Sequence, residues 1–244
     1  DFLEKTGLDS ALARLRQLNT EDLRRQIGYI RTSLYARYTA SPRQARSGDE
    51  STERACSAED SRLRLTRSRI IDAAVIIAED IGARAIRGSD GSATWITLQV
   101  GSPDHRMSLS SMGNDLYDGR IGVALFLAAL EQVTKGSSFR ALALAAVRPL
   151  RQLIKYSDSS GIDWGMLGGC DGLGIQLYGL VRIAELLDDE ELLDLGRRTS
   201  AWFIPERIAL REAPDVIGGV AGGIFGLLAL WSASGHDEAL SRAV

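Results

Sequence analysis

Three times along this chain a glycine-bearing turn leads into an almost wholly apolar segment of helical length, and this recurrence limits the possible folds more than any other feature. The copies are Asp118-Gly119-Arg120-Ile121-Gly122-Val123-Ala124-Leu125-Phe126-Leu127, Asp171-Gly172-Leu173-Gly174-Ile175-Gln176-Leu177-Tyr178-Gly179-Leu180 and Gly219-Val220-Ala221-Gly222-Gly223-Ile224-Phe225-Gly226-Leu227. Gly122, Gly174 and Gly222 lie 52 and 48 residues apart, a period that marks a repeat architecture. Amphipathic helices, about Ser138 to Tyr156 and Asp189 to Ile204, run between the copies with charge on one side. Each unit reads as a helical hairpin, with the glycine-entered helix inside and the more polar helix outside. The predicted fold is mainly α: an incomplete α/α toroid of helical hairpins carrying a small inserted β-hairpin. Three copies form an arc, and their inner-helix starts would gather at one end of its cavity.

Composition removes several alternatives. With 244 residues, 45% of them hydrophobic, the chain can bury a sizeable core and is not disordered throughout. Lys and Arg number 29 against 32 Asp and Glu, so a net charge of -3 supplies no basic field for nucleic acid. Only Cys56 and Cys170 are present, which excludes a disulfide framework and points to a reducing, cytoplasmic setting. Val216 to Gly235 is uncharged and long enough to span a bilayer. Its crowded glycines suit close packing inside a helical core, which is the expectation here, and no integral membrane segment is predicted. The chain opens on Asp1 without a signal segment and stops at Val244 soon after a helix start at Asp237, as a slice of a longer protein would.

The first part has a different organisation. Residues 9 to 38 read as a helical pair, interrupted and capped at Asn19-Thr20, whose second member aligns Leu23, Ile27, Ile30 and Leu34 on one stripe. That stripe needs a partner, expected upstream of Asp1. From Ala40 to Ser61 the chain is polar and aperiodic, as a linker should be, which divides it into residues 1–60 and 61–244. An apolar helix from Ile70 to Ile81 should end at Gly82. Alternation over Trp95 to Val100, a Gly101-Ser102-Pro103-Asp104 turn and alternation at Met107 and Leu109 predict the inserted hairpin.

Candidate chemistry gathers at the glycine turns. Asp118 and Asp171 lie inside the motif and Asp215 lies four residues before Gly219. Converging carboxylates there could act as general acid and base, as in α/α-barrel carbohydrate enzymes, or cap helices and loops. Cys170 precedes Asp171 at a helix start that would favour thiolate, but no histidine neighbours it, and a buried structural cysteine is the expectation. His105 and His236 read as solvated loop residues, and no metal-ligand spacing is present. Phosphate-loop, serine-elbow and HExxH motifs are also missing. On residues alone the chain is a soluble helical repeat domain. Peptide binding without chemistry remains open beside catalysis, and the 6% aromatic content argues against a sugar site.

Asp115-Leu116-Tyr117-Asp118-Gly119-Arg120-Ile121-Gly122 resembles the opening motif of the lanthionine synthetase C-like cyclase domain. Asp90-Gly91-Ser92-Ala93-Thr94-Trp95-Ile96 resembles the segment leading into that domain in class II lanthipeptide (lantibiotic) synthetases. Asp215-Val216-Ile217-Gly218-Gly219-Val220-Ala221-Gly222 resembles their D-V-I-G-G-x-A-G turn. Leu18 to Gln26 and Ile30 to Leu34 resemble the end of the preceding dehydratase domain. The resemblance implies that residues 1–60 are a dehydratase tail with linker and that 61–244 are the N-terminal part of a cyclase. It also implies a ribosomal precursor peptide as partner, ATP with Mg for the complete dehydratase, and Zn for the complete cyclase, where a metal-bound thiolate adds to dehydrated Ser or Thr. Asp215 matches the motif aspartate taken as catalytic or substrate-orienting. The family's zinc ligands, a W-C-H-G-like turn and a later Cys-His pair, are not found in the sequence, nor is its A-H-G-like turn. They are expected beyond Val244 or not at all, leaving a segment inactive alone.

Overall fold

The computed structural model describes residues 6–39, 66–100, 107–136, 139–156, 167–170, 172–209 and 214–244. The expected linker, Cys56, His105, the Gly101-Asp104 turn and Asp171 lie outside the described residues. The contacts divide the chain into two compact units, Asp1–Glu59 with Ile96–Ser111, and Asp60–Trp95 with Met112–Val244.

In the first unit, α1 spans Gly7–Gln17 and α2 spans Thr20–Thr39. Thr6 and Asp9 form a reciprocal capping box on α1, in which Thr6 Oγ1 accepts from the Asp9 N–H at 3.1 Å. Asn19 does the expected work for α2: its Oδ1 accepts from the N–H groups of Glu21 and Asp22 at 2.8 and 3.1 Å. The stripe of Leu23, Ile27, Ile30 and Leu34 forms as its spacing requires, and all four side chains are exposed.

The second unit begins with α3, Arg67–Arg84. The helix runs through Gly82 instead of ending there, because Ala85 serves as the cap and its N–H donates back to the Gly82 carbonyl. Strands β1 (Ile86–Arg87) and β2 (Ala93–Thr94) follow as a short antiparallel pair that periodicity did not reveal, two residues being too few to alternate. Trp95, 6% exposed, donates its indole N–H to the Ile81 carbonyl at 2.8 Å and closes the end of α3. The predicted hairpin, which belongs to the first unit, is present as β3 (Ile96–Val100) against β4 (Met107–Ser111), with Leu98 opposite Leu109.

Three glycine-entered helices follow: α4 (Arg120–Thr134), α6 (Leu173–Leu187) and α9 (Val220–Ser234), each of 15 residues and each with glycine as N-cap. Each is followed by a companion helix, α5 (Phe139–Tyr156), α7 (Glu190–Ser200) and α10 (Asp237–Ala243), while a short α8 (Pro205–Ala209) leads from α7 toward α9. The protein is therefore mainly helical, with an inserted hairpin. Helix α7 stops at Ser200, short of the expected Ile204, because the following N–H groups of Ala201, Trp202 and Phe203 fold back onto the last carbonyls in tighter bonds.

Helix α6 packs against both α4 and α9. It is accordingly apolar around most of its circumference, with Leu173, Leu177, Leu180, Val181 and Ile183 all at 0% exposure. Polar joints fix the hairpins at their ends. Glu131 accepts from the N–H groups of Phe139 and Arg140 at 3.0 and 3.2 Å, capping α5, and the Arg140 guanidinium donates to the Leu187 carbonyl at the end of α6.

The glycine-entered helices also end alike. Lys135, Asp188 and Gly235 cap them with φ of 53, 51 and 63°, the left-handed region in which only glycine is unstrained. Replacement of Lys135 by glycine is expected to raise unfolding free energy by about 1 kcal/mol, read from urea denaturation of the full chain. No gain would mean that the Lys135 side chain stabilises the cap through contacts that offset the strain.

Among the described residues, no helix is long and apolar enough to cross a membrane. The stretch suspected of spanning one becomes α9, too short for that purpose at 15 residues.

Candidate functional site

The turns before α6 and α9 are built as one structure. Gly169 N–H donates to the Val216 carbonyl at 2.8 Å, and Cys170 N–H donates to the Ile217 carbonyl at 3.0 Å. Ile175 N–H, in the first turn of α6, donates to the Gly168 carbonyl at 3.0 Å. These bonds require backbone to approach backbone. A Cβ on Gly174 would stand 2.6 Å from the Leu167 carbonyl oxygen and 2.7 Å from Gly223 Cα, and one on Gly222 would overlap Gly169 N and the Val216 oxygen. The N-cap Gly172 has φ 118°, open to glycine alone. Gly172, Gly174 and Gly222 are therefore steric requirements of two turns meeting.

Asp215 belongs to this pair of turns. Its Oδ1 accepts from the N–H groups of Ile217 and Gly218 at 2.7 and 3.0 Å, an Asx-type closure of the turn before α9. The N–H groups of Gly218 and then Ile217 hold its carboxyl below the ordinary carboxylate value. Because the folded value is depressed, this group adds stability above the unfolded carboxylate value and loses it as pH falls through the folded one. We expect Asp215→Asn to unfold at a lower temperature than the wild type at neutral pH, with the difference closing as pH falls through that window, so that the variant is the less sensitive to acid. Parallel profiles would show that the two backbone bonds are not held in solution.

Cys170 sits on the facing turn and is exposed, so the expectation of a buried structural cysteine is corrected. Its backbone N–H is committed to Ile217, which fixes the main chain without burying the side chain. Through that bond Cys170 and Asp215 come to the same pair of turns.

Asp118 is exposed on the turn before α4. The hydrogen bonds described between turns join the second to the third and do not include Asp118. What shapes the first turn is Arg120, unremarked in the sequence. Its Nη2 donates to Asn114 Oδ1 at 2.6 Å and its Nε to the Gly113 carbonyl at 3.3 Å, and burial lowers its pKa. The signal available was its place inside the motif between two glycines. Gln176, on α6 just after the second turn, has a buried Oε1 without a hydrogen-bond partner among the described residues. His236 is the N-cap of α10, partly exposed, as a loop histidine should be.

Chemically, this arrangement offers an ionised carboxylate and an exposed thiol on rigid backbone. Among the described residues, no three of His, Cys, Asp and Glu come together to hold a metal ion. The zinc implied by the resemblance therefore does not fit the donor set seen here.

Comparison with known proteins bears on the same region. A family model described as Lanthionine synthetase C-like protein matches residues 110–244, the stretch that holds all three glycine-entered helices. No curated protein matches the chain.

Proposed function

The chain belongs to the lanthionine synthetase C-like family, and from that membership we propose that it is part of a class II lanthipeptide synthetase acting on a ribosomally made precursor peptide in the cytoplasm. The match over 110–244 carries the reading, and the joined turns of α6 and α9 supply its local support. In this reading residues 1–60 are the tail and linker of a dehydratase domain that uses ATP and Mg, and 61–244 are the first part of an α/α-toroidal cyclase. The reaction adds a Cys thiol of the peptide across the alkene left by dehydrated Ser or Thr. A carbon–sulfur bond forms, and the α-carbon takes up a proton.

Asp215 is the residue of this chain assigned to that reaction. A carboxylate held ionised by two N–H groups is a poor proton donor near neutral pH and a good acceptor for substrate N–H groups, so its part is to orient the peptide. Without a zinc donor set among its described residues, the chain is proposed not to close rings alone.

The test uses a dehydrated peptide bearing a free cysteine, with thiols blocked after incubation and counted by mass spectrometry. In the complete synthetase, Asp215→Ala should slow ring formation at least about tenfold, a loss of roughly 1.4 kcal/mol in transition-state binding, while dehydration proceeds. Unchanged cyclisation would remove Asp215 from the site. Ring formation by the purified chain would overturn the proposal that it is inactive alone.

A further inference from the structure

A cleft of about 430 Å³ lies away from the joined turns, bounded by α5, α7 and the β1–β2 turn. One face of α5 forms its floor. Ala141, Leu144 and Ala145 make one end small and apolar, and Arg148, Arg151 and Lys155 make the other cationic. Leu195 and Glu191 of α7 stand on one side and Gly91 on the other.

Two of the cations, Arg148 and Arg151, are held in place before any ligand arrives. Arg148 Nη1 donates to the Asp90 carbonyl at 2.5 Å. That approach depends on Gly91, whose φ of 80° suits glycine and whose Cβ, if present, would overlap the Arg148 guanidinium. Asp90 is itself pinned, accepting from Ser92 N–H at 3.0 Å and Ser92 Oγ at 2.6 Å. Arg151 pairs with Glu191 at 2.5 Å, and Lys155 is near enough to act on the same carboxylate.

Charge and spacing select the occupant. Among the described residues, three lining cations face a single lining carboxylate, a local positive surplus on a chain of net charge -3. From Arg148 to Lys155 is two helical turns, roughly 10 Å along the axis at helical rise. A compact anion cannot reach both ends, whereas carboxylates spaced along a peptide can. The apolar end, continuous with the cationic one, calls for a neighbouring hydrophobic side chain.

We propose that this cleft docks an acidic, amphipathic peptide segment, seating an apolar side chain on Ala141, Leu144, Ala145 and Leu195 and pairing carboxylates with Arg148, Arg151 and Lys155. Glu191 occupies Arg151 in the free protein and competes with the ligand. The inference stands independently of the cyclase reading, since it uses none of the residues assigned there.

The experiment is fluorescence anisotropy of the full chain with a short labelled peptide of leucine and glutamate. Saturable binding is expected, weakening with added salt. Lys155→Glu should weaken it at least about tenfold, and Glu191→Gln should tighten it several-fold by removing the competing carboxylate. Lys135→Glu, elsewhere on the surface, should leave it unchanged, and circular dichroism of each variant checks that the fold is kept. Equal binding of the leucine–glutamine analogue, or indifference to Lys155→Glu in a folded variant, overturns the proposal. Displacement of the peptide by an equal concentration of inorganic phosphate does so as well, assigning a compact-anion site instead.

Discussion

Alanine at Gly222 is expected to cost the full chain about 3 kcal/mol of unfolding free energy, the upper end of what overpacking usually does. The reason is the nature of the obstacle. The added Cβ would overlap Gly169 N and the Val216 carbonyl oxygen, both main-chain atoms of the bond that joins the two turns, and Gly168 C lies at 2.6 Å. A side chain could swing aside, but these atoms cannot move without breaking the Gly169–Val216 bond of 2.8 Å. Gly196→Ala in α7 provides the contrast within the same unit. There the atoms nearest the new methyl belong to the Leu230, Val181 and Leu177 side chains at 3.4 to 3.5 Å, ordinary contact distance. With alanine also the better helix former, that variant should be neutral or more stable by up to about 1 kcal/mol. Urea denaturation of both variants reads the difference. Equal midpoints would mean that the turns are not in backbone contact.

Leu180→Ala should be the second severe change, at about 3 to 4 kcal/mol. Leu180 is 0% exposed on the helix that packs against both α4 and α9, so its removal leaves a cavity with rigid neighbours on more than one side. Leu153→Ala on α5, where the side chain is 37% exposed, should cost under about 1 kcal/mol because water already reaches the site. Thermal and urea unfolding both measure this, and similar losses at the two positions would contradict the central place given to α6. Since α6 carries the second glycine turn at its start, loosening its packing should also increase hydrogen exchange at the Cys170 amide.

Much of the local structure was legible because it is encoded over a few residues. The 52- and 48-residue spacing of Gly122, Gly174 and Gly222 located three helix starts that the structure places at Arg120, Leu173 and Val220. Alternation located the strands of the hairpin, and Asn19 marked the cap of α2. The misses have equally local causes. Gly82 looked like a terminator, yet a helix tolerates a single glycine at a cost of about 1 kcal/mol when packing continues beyond it. Lys135 and Asp188 gave no sign of ending helices in a conformation that glycine usually fills. The cationic face of α5 was visible at Arg148, Arg151 and Lys155, but a charge stripe on an outer helix ordinarily means only solvent.

The amino-acid order by itself determined where helices start, which faces are apolar and that the units repeat, since these follow from capping chemistry and from the 3.6-residue period. Only the tertiary structure decided which turns meet, that Cys170 is exposed and that Asp215 closes a turn beside it. It alone decided that a cleft opens between α5, α7 and the β1–β2 turn. The meeting of the turns depends on how closely α6 and α9 approach, which is set by contacts such as Gly174 with Gly223 between residues far apart in sequence. Periodicity identifies a buried face but not the surface that will cover it.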